Sequence, residues 1–179
     1  MDNSNHPLEM TEIKKHVIAV ILDNEFGALA RIVELFSARG YNIETLTVAP
    51  ISRDKKLSRI TITTYGTDKT IDLICKLLKR IVPVHHAAEL TRSEGYIERE
   101  LALVQIIADE ETRENAIQAL EKYRANVVDI EGDSLVFEVI GTSQIIEEVL
   151  EKLSNFGLAT ISRTGIAAGF KGKKRLDQI

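Results

Sequence analysis

The sequence predicts an α+β fold of two ferredoxin-like βαββαβ units in tandem, and three observations carry that expectation. Short β-branched runs of strand length alternate with stretches whose apolar residues fall at helical spacing. In the first half these elements follow the order βαββαβ, the split βαβ arrangement. In the second half the order returns in a register that can be followed residue by residue.

Residues 16–22 (HVIAVIL) form an apolar, β-branched run of strand length, and Asp23-Asn24-Glu25-Phe26-Gly27 follows as a turn. Leu29, Ile32, Val33 and Phe36 then fall at i, i+3, i+4 and i+7, one face of a helix that Gly40 ends. Residues 42–49 and 57–65 read as two strands joined by the charged loop of residues 52–56. Ile60 and Ile62 share one face of the second strand while Arg59, Thr61 and Thr63 share the other, so the sheet is expected to be covered on one side only. After Gly66-Thr67-Asp68, the residues Ile71, Ile74, Leu78 and Ile81 form the stripe of a second helix, and residues 84–90 close the unit as a strand.

A shift of 84 positions superposes the first strand and helix on the second half, pairing Val17 with Leu101, Ala19 with Leu103, Val33 with Ile117, Phe36 with Leu120 and Asn42 with Asn126. A shift of 75 positions superposes the second helix, pairing Gly66 with Gly141, Thr67 with Thr142, Ile71 with Ile146, Ile74 with Val149 and Leu78 with Leu153. The nine residues between the two shifts are what the charged loop adds, because its counterpart, Glu131-Gly132-Asp133, is a tight turn. The split between units falls near residues 93–96. Residues 1–15 read as a loosely held leader, 16–92 and 97–170 as the two units, and 171–179 as a basic tail.

Composition narrows the function. A chain of 179 residues with 44% hydrophobic residues can bury a core, and its net charge of −4 argues against nucleic acid as the main partner. One cysteine, Cys75, excludes an internal disulfide framework and a multi-thiolate zinc site. It lies beside the apolar stripe of the second helix and reads as a buried thiol. No apolar run approaches the roughly 20 residues that span a bilayer, and the N-terminus lacks the pattern of a secretory signal, so a cytoplasmic protein without a membrane partner is expected. Neither a P-loop nor G-x-G-x-x-G, H-E-x-x-H or G-x-S-x-G is present. His85 and His86 are neighbours on a strand and point to opposite faces, which disfavours a shared metal. An RNA-binding reading of βαββαβ fails for want of sheet aromatics, since the strands at 42–49 and 57–65 offer only Tyr65.

One place carries chemistry. Where the first strand feeds the first helix, Gly27 and Ala28 leave the helix start almost bare of side chain, and its unpaired N–H groups sit at the positive end of the dipole. A small carboxylate can approach such donors closely, and the carboxamide of Asn24 can both donate and accept. The alternative is local: Gly27 permits the turn and Asn24 caps the helix. At the 84-residue shift Asn24 meets Ala108 and Gly27 meets Glu111, so an anion site of this kind is expected in the first unit alone.

The stretches Asn24-Glu25-Phe26-Gly27-Ala28-Leu29-Ala30-Arg31 and Leu35-Phe36-Ser37-Ala38-Arg39-Gly40-Tyr41-Asn42-Ile43-Glu44-Thr45-Leu46-Thr47-Val48-Ala49-Pro50 resemble the N-terminal ACT domain of the small, regulatory subunit of acetohydroxyacid synthase, also called acetolactate synthase. The resemblance continues through Leu57-Ser58-Arg59, Glu98-Arg99-Glu100-Leu101 and Arg163-Thr164-Gly165. It implies an ACT domain followed by a related C-terminal domain, with no active site in this chain. It further implies a role in valine, leucine and isoleucine biosynthesis: the chain activates a catalytic large subunit and confers feedback inhibition by valine or a related branched-chain amino acid. Thiamine diphosphate, magnesium and FAD are then expected in the large subunit and no cofactor in this one. The resemblance also implies a homodimer through the ACT domains, with the effector at their interface. One chain supplies the turn, Asn24, Gly27, Ala28 and Leu29, and the other supplies Asn42 with Ile43. Phe26 departs from the small residue or proline common at its place. A free-standing amino-acid sensor, acting on another enzyme or on gene expression through the basic tail, is the competing expectation.

Overall fold

The structure is a computed structural model that describes residues 12–52, 54, 56–92 and 95–178. Most of the expected leader, residues 1–11, and two residues at the expected split, 93 and 94, lie outside the described residues. The chain divides into two compact units. The first runs up to Ile97 and includes the chain from Ala168 onward, and the second is Glu98–Ala167. This differs from the expected limits of 97–170 and 171–179. Lys14 and Lys15, expected in the leader, open the first strand.

In the first unit the order is β1 (Lys14–Asp23), α1 (Ala28–Ala38), β2 (Thr45–Ser52), β3 (Leu57–Gly66), α2 (Asp68–Leu78) and β4 (Val84–Glu89). The antiparallel sheet has the spatial order β2-β3-β1-β4. In the second unit β5 (Tyr96–Ile107), α3 (Glu110–Leu120), β6 (Asn126–Glu131), β7 (Ser134–Gly141), α4 (Ser143–Leu153) and β8 (Leu158–Arg163) repeat it, with order β6-β7-β5-β8. A short last strand, β9 (Ala167–Phe170), and a helical turn at Leu176–Gln178 complete the chain.

The repeat register is written in the cores. Ile18, Val20 and Leu22 are buried, as are Ala102, Val104 and Ile106 at the 84-residue shift, and Ile32 and Phe36 correspond in the same way to Ala116 and Leu120. At the 75-residue shift Ile71, Ile74 and Leu78 answer to Ile146, Val149 and Leu153. The starts of α2 and α4 repeat as well. The Thr70 N–H donates to Thr67 Oγ1 (3.2 Å) and the Ile145 N–H to Thr142 Oγ1 (3.4 Å), caps worth about 1 kcal/mol each.

Several expectations shift. The strand expected at 42–49 begins at Thr45 and runs through Pro50, which an edge strand tolerates because a proline there leaves no paired donor missing. The second helix ends at Leu78, and Ile81 packs on the core from beyond it. In α1 the buried residues are Ala28, Ile32 and Phe36, whereas Leu29 and Val33 are exposed. The expectation of a sheet covered on one side fails for the first unit. Val17, Ala19, Thr61 and Thr63 face away from the helices, yet all are buried. The tail contributes to that cover, since Leu176 is buried and its helical turn packs on β4 and β1.

Candidate functional site

The turn from β1 into α1 is held at its root by the Asp23 N–H donating to Pro83 O (2.8 Å) and the Asn24 N–H donating to Lys56 O (2.6 Å). From this fixed end the chain enters α1 through Gly27, whose φ of 79° lies in the left-handed region that favours glycine. An added Cβ at Gly27 would meet nothing within 4 Å, so the helix start opens onto free space.

Gly27 is the N-cap of α1, and among the described residues no side chain caps this helix. Asn24 does not, which removes the local alternative of an Asn24 cap. Among the described residues the N–H groups of Leu29 and Ala30 have no hydrogen-bond partner. The other three helices are closed by Thr67, by Asp109 and by Thr142. At the counterpart of the Gly27 turn, the Thr112 N–H donates to Asp109 Oδ1 (2.8 Å), so an acidic side chain already occupies that helix end. No acidic residue stands in the first turn of α1. Its donors and dipole therefore present an unsatisfied positive end to solvent.

Beside this end an open groove of about 830 Å³ runs along α1, lined by Gly27, Leu29, Ala30, Val33, Glu34 and Ser37. Phe26, in the turn before Gly27, stands fully exposed at 105%. The sequence reading missed Ala30, Glu34 and Ser37 as part of this surface. The signal was an apolar stripe wider than the contact with the sheet requires, with small residues along its flank.

The expected site residues fall in two places. Asn24, Gly27, Ala28 and Leu29 are together at the end of β1, with Ala28 buried and the other three exposed. Asn42 and Ile43 are at the opposite end of the sheet. The Thr64 hydroxyl donates to Asn42 O (2.6 Å), and Thr64 pairs with His16, whereas Leu57 pairs with Asp23. Seven residues of extended strand separate Leu57 from Thr64, about 24 Å at roughly 3.4 Å per residue. Within one chain the two groups do not meet. The Asn42 carboxamide donates to Glu44 Oε1 (2.6 Å), and Ile43 packs against the core.

Other sequence candidates resolve locally. The His85 Nε2 lies 2.7 Å from Asp23 Oδ1, and His85 and His86 both line one cavity of the first unit, so the expected separation to opposite faces does not hold. Burial pushes the Cys75 thiol up to about 11. In the second unit the two segments Glu98-Arg99-Glu100-Leu101 and Arg163-Thr164-Gly165 meet in one bidentate ion pair. Arg163 Nε donates to Glu100 Oε1 (2.8 Å) and Nη2 to Oε2 (2.9 Å), with the Glu100 side chain 1% exposed. The guanidinium holds the Glu100 carboxyl below its ordinary range. This is a structural lock that joins β5 to β8.

Comparison with known proteins covers both units. Residues 18–86 match the family described as AHAS small subunit-like ACT domain, and residues 99–169 match the family described as small subunit of acetolactate synthase. A protein of Archaeoglobus fulgidus named as a probable acetolactate synthase small subunit is 37% identical over 161 residues, spanning 90% of this chain and 99% of that protein. The acetolactate synthase isozyme 3 small subunit of Salmonella typhimurium is 37% identical over 161 residues, spanning 89% of this chain and 98% of its own. Among solved structures, the acetolactate synthase small subunit of Thermotoga maritima superposes with a TM-score of 0.80 at 30% identity, covering 90% of this chain and 99% of that one.

Proposed function

The chain belongs to the acetolactate synthase small-subunit family, and from that premise we propose that it is a non-catalytic regulatory subunit that activates a catalytic large subunit and transmits feedback inhibition by valine. The thiamine diphosphate, magnesium and FAD of the reaction belong to the large subunit in this reading, and the pair works in the cytoplasm on branched-chain amino acid synthesis. No helix among the described residues is long and apolar enough to cross a membrane.

The observation that carries the effector half is the open start of α1. The N–H groups of Leu29 and Ala30 suit a carboxylate, the Asn24 carboxamide and the partner's Asn42 suit an ammonium, and the exposed Leu29 side chain offers an apolar rim to an aliphatic side chain.

Two features favour a site shared between two copies. The edge strand β2 is half-exposed or exposed along its length, and an unpaired edge invites another strand. Antiparallel pairing of two β2 edges about a two-fold axis sets the start of one β2 against the end of the other. The partner's Asn42 then arrives at the end of the sheet that carries Asn24 and Gly27, closing the separation of about 24 Å that a single chain leaves open. The exposed Phe26, Leu29 and Val33 flank the same end and would be covered.

Reconstitution tests the whole reading. The purified chain should have no synthase activity, should raise that of the large subunit, and should make the mixture sensitive to valine.

A further inference from the structure

A second cavity, of about 670 Å³, opens on the face of the first unit's sheet turned away from α1 and α2, beneath the C-terminal segment. Its floor is set by strand register. Ile21 pairs with Arg59 on one side and with His86 on the other, and directly opposed residues of an antiparallel sheet project to the same face. Their neighbours Val20, Ile60 and Ala87 belong to the core cluster beneath the helices, so Arg59, Ile21 and His86 form one row on the other face. The C-terminal segment supplies the opposite wall with Phe170, Lys174, Arg175 and Asp177.

One charge in this cavity, that of Arg59, is unbalanced among the described residues. Arg59 is half-buried, its Nη2 donates to Ala168 O (2.5 Å), and among the described residues no carboxylate lies within ion-pair distance of it. Desolvation lowers its pKa from the ordinary value, yet a guanidinium stays charged at any physiological pH. Among the described residues that line the cavity Asp177 is the one carboxylate, and it is engaged by Arg175 in a bidentate pair. Lys174 stands at the same rim with its Nζ 4.6 Å from the Phe170 ring centroid. The Asp23 carboxylate nearby is held by His85. A permanent cation partly withdrawn from water, with its neighbouring carboxylates already committed, lacks the compensation that buried charges ordinarily have.

We propose that this cavity binds a small molecule carrying an oxyanion, a phosphoryl or carboxylate group received by Arg59 and Lys174, with an apolar portion over Ile21, Leu57 and Phe170. The volume lies within the range of small-molecule sites, and the mixture of an apolar floor with a few convergent charges is their usual lining. Because the C-terminal segment forms one wall, the bound anion clamps that segment to the sheet. The site is separate from the α1 turn, so its ligand and the amino-acid effector bind independently in the first instance.

The full chain is titrated calorimetrically with inorganic pyrophosphate and, separately, with citrate, each at an ionic strength fixed with sodium chloride. One saturable site per chain is expected, and the tighter of the two probes tells phosphoryl from carboxylate recognition. Arg59→Gln should weaken the tighter probe by at least about tenfold, the loss of one charge-assisted contact. Lys174→Glu, on an exposed segment, should do the same and serves if the first variant does not fold. The bound probe should also slow tryptic cleavage after Lys173, Lys174 and Arg175 in the wild-type chain. Failure of both probes to saturate, or equal affinity in wild type and folded variants, overturns the site.

Discussion

Replacing Gly27 with Asp separates the fold of the α1 turn from its proposed role. The folding cost is small. A left-handed backbone costs a residue with a side chain about 1–2 kcal/mol, and the Gly27 φ of 79° places it there. Nothing lies within 4 Å of the added Cβ, so no clash is added, and Asp is among the residues that tolerate this region. Its carboxylate can accept from the N–H of Leu29 or Ala30, as an N-cap does, returning up to about 1 kcal/mol. The net loss of roughly 1 kcal/mol should lower Tm by no more than about 8 °C for a unit of this size. The effect on valine binding, if the α1 donors receive it as proposed, should be large. The new carboxylate occupies the donors that the effector's carboxylate would use, and two hydrogen bonds to a charged group at about 1.5 kcal/mol or more each amount to at least roughly 3 kcal/mol, over a hundredfold in affinity. Calorimetry of valine binding to the folded variant, beside inhibition of the reconstituted enzyme, measures both consequences. Wild-type affinity for valine in Gly27→Asp would refute the assignment of the α1 donors.

Two further predictions concern charge and burial. Arg163→Met leaves the Glu100 carboxylate buried with only Ser143 Oγ at 3.3 Å and its backbone neighbours, so the variant should lose about 3–5 kcal/mol in urea unfolding, and Glu100→Gln in the same chain should restore most of it. Because Arg163 holds the folded-state pKa of Glu100 below its ordinary 4.5, the pair's stabilisation is complete above that value and is lost as pH falls through the lower folded value. The acid limb of the stability curve should flatten in Glu100→Gln, and an unchanged limb would show that the pair contributes nothing. Burial raises the Cys75 thiol from 9.0 to about 11, so at pH 8 the folded chain should react with a maleimide about a hundredfold more slowly than the urea-unfolded chain, and equal rates would contradict the burial.

What the sequence made legible follows from what periodicity records. The apolar run of β1 and the paired threonines Thr67 and Thr142 are local signals, and both units carry them in the same register. The position of Gly27 at the start of α1 was equally local, because only a left-handed residue turns the chain there. Periodicity marks a residue as apolar without saying what it touches, which is why Val33 was expected in the core and is exposed instead. Thr61 and Thr63 were expected to face solvent because their alternation with isoleucines reads as polar-out, yet they are buried. The cavity at Arg59 was invisible for a related reason, since it joins strand residues to a segment more than a hundred positions later, and no local pattern encodes that return. The two asparagines, Asn24 and Asn42, looked close in sequence. The sheet register separates them within one chain, and the proposed pairing of two chains would bring them together.

The most direct test of the account is a titration of this chain into the large subunit of the same organism, following acetolactate formation with and without valine. The account predicts no activity from the chain alone, a rise in large-subunit activity that saturates with added chain, and inhibition by valine only when the chain is present. By linkage, valine should change the affinity of the two subunits by the same factor as their association changes the affinity for valine. A large subunit whose rate and valine response are the same with and without this chain would contradict the account.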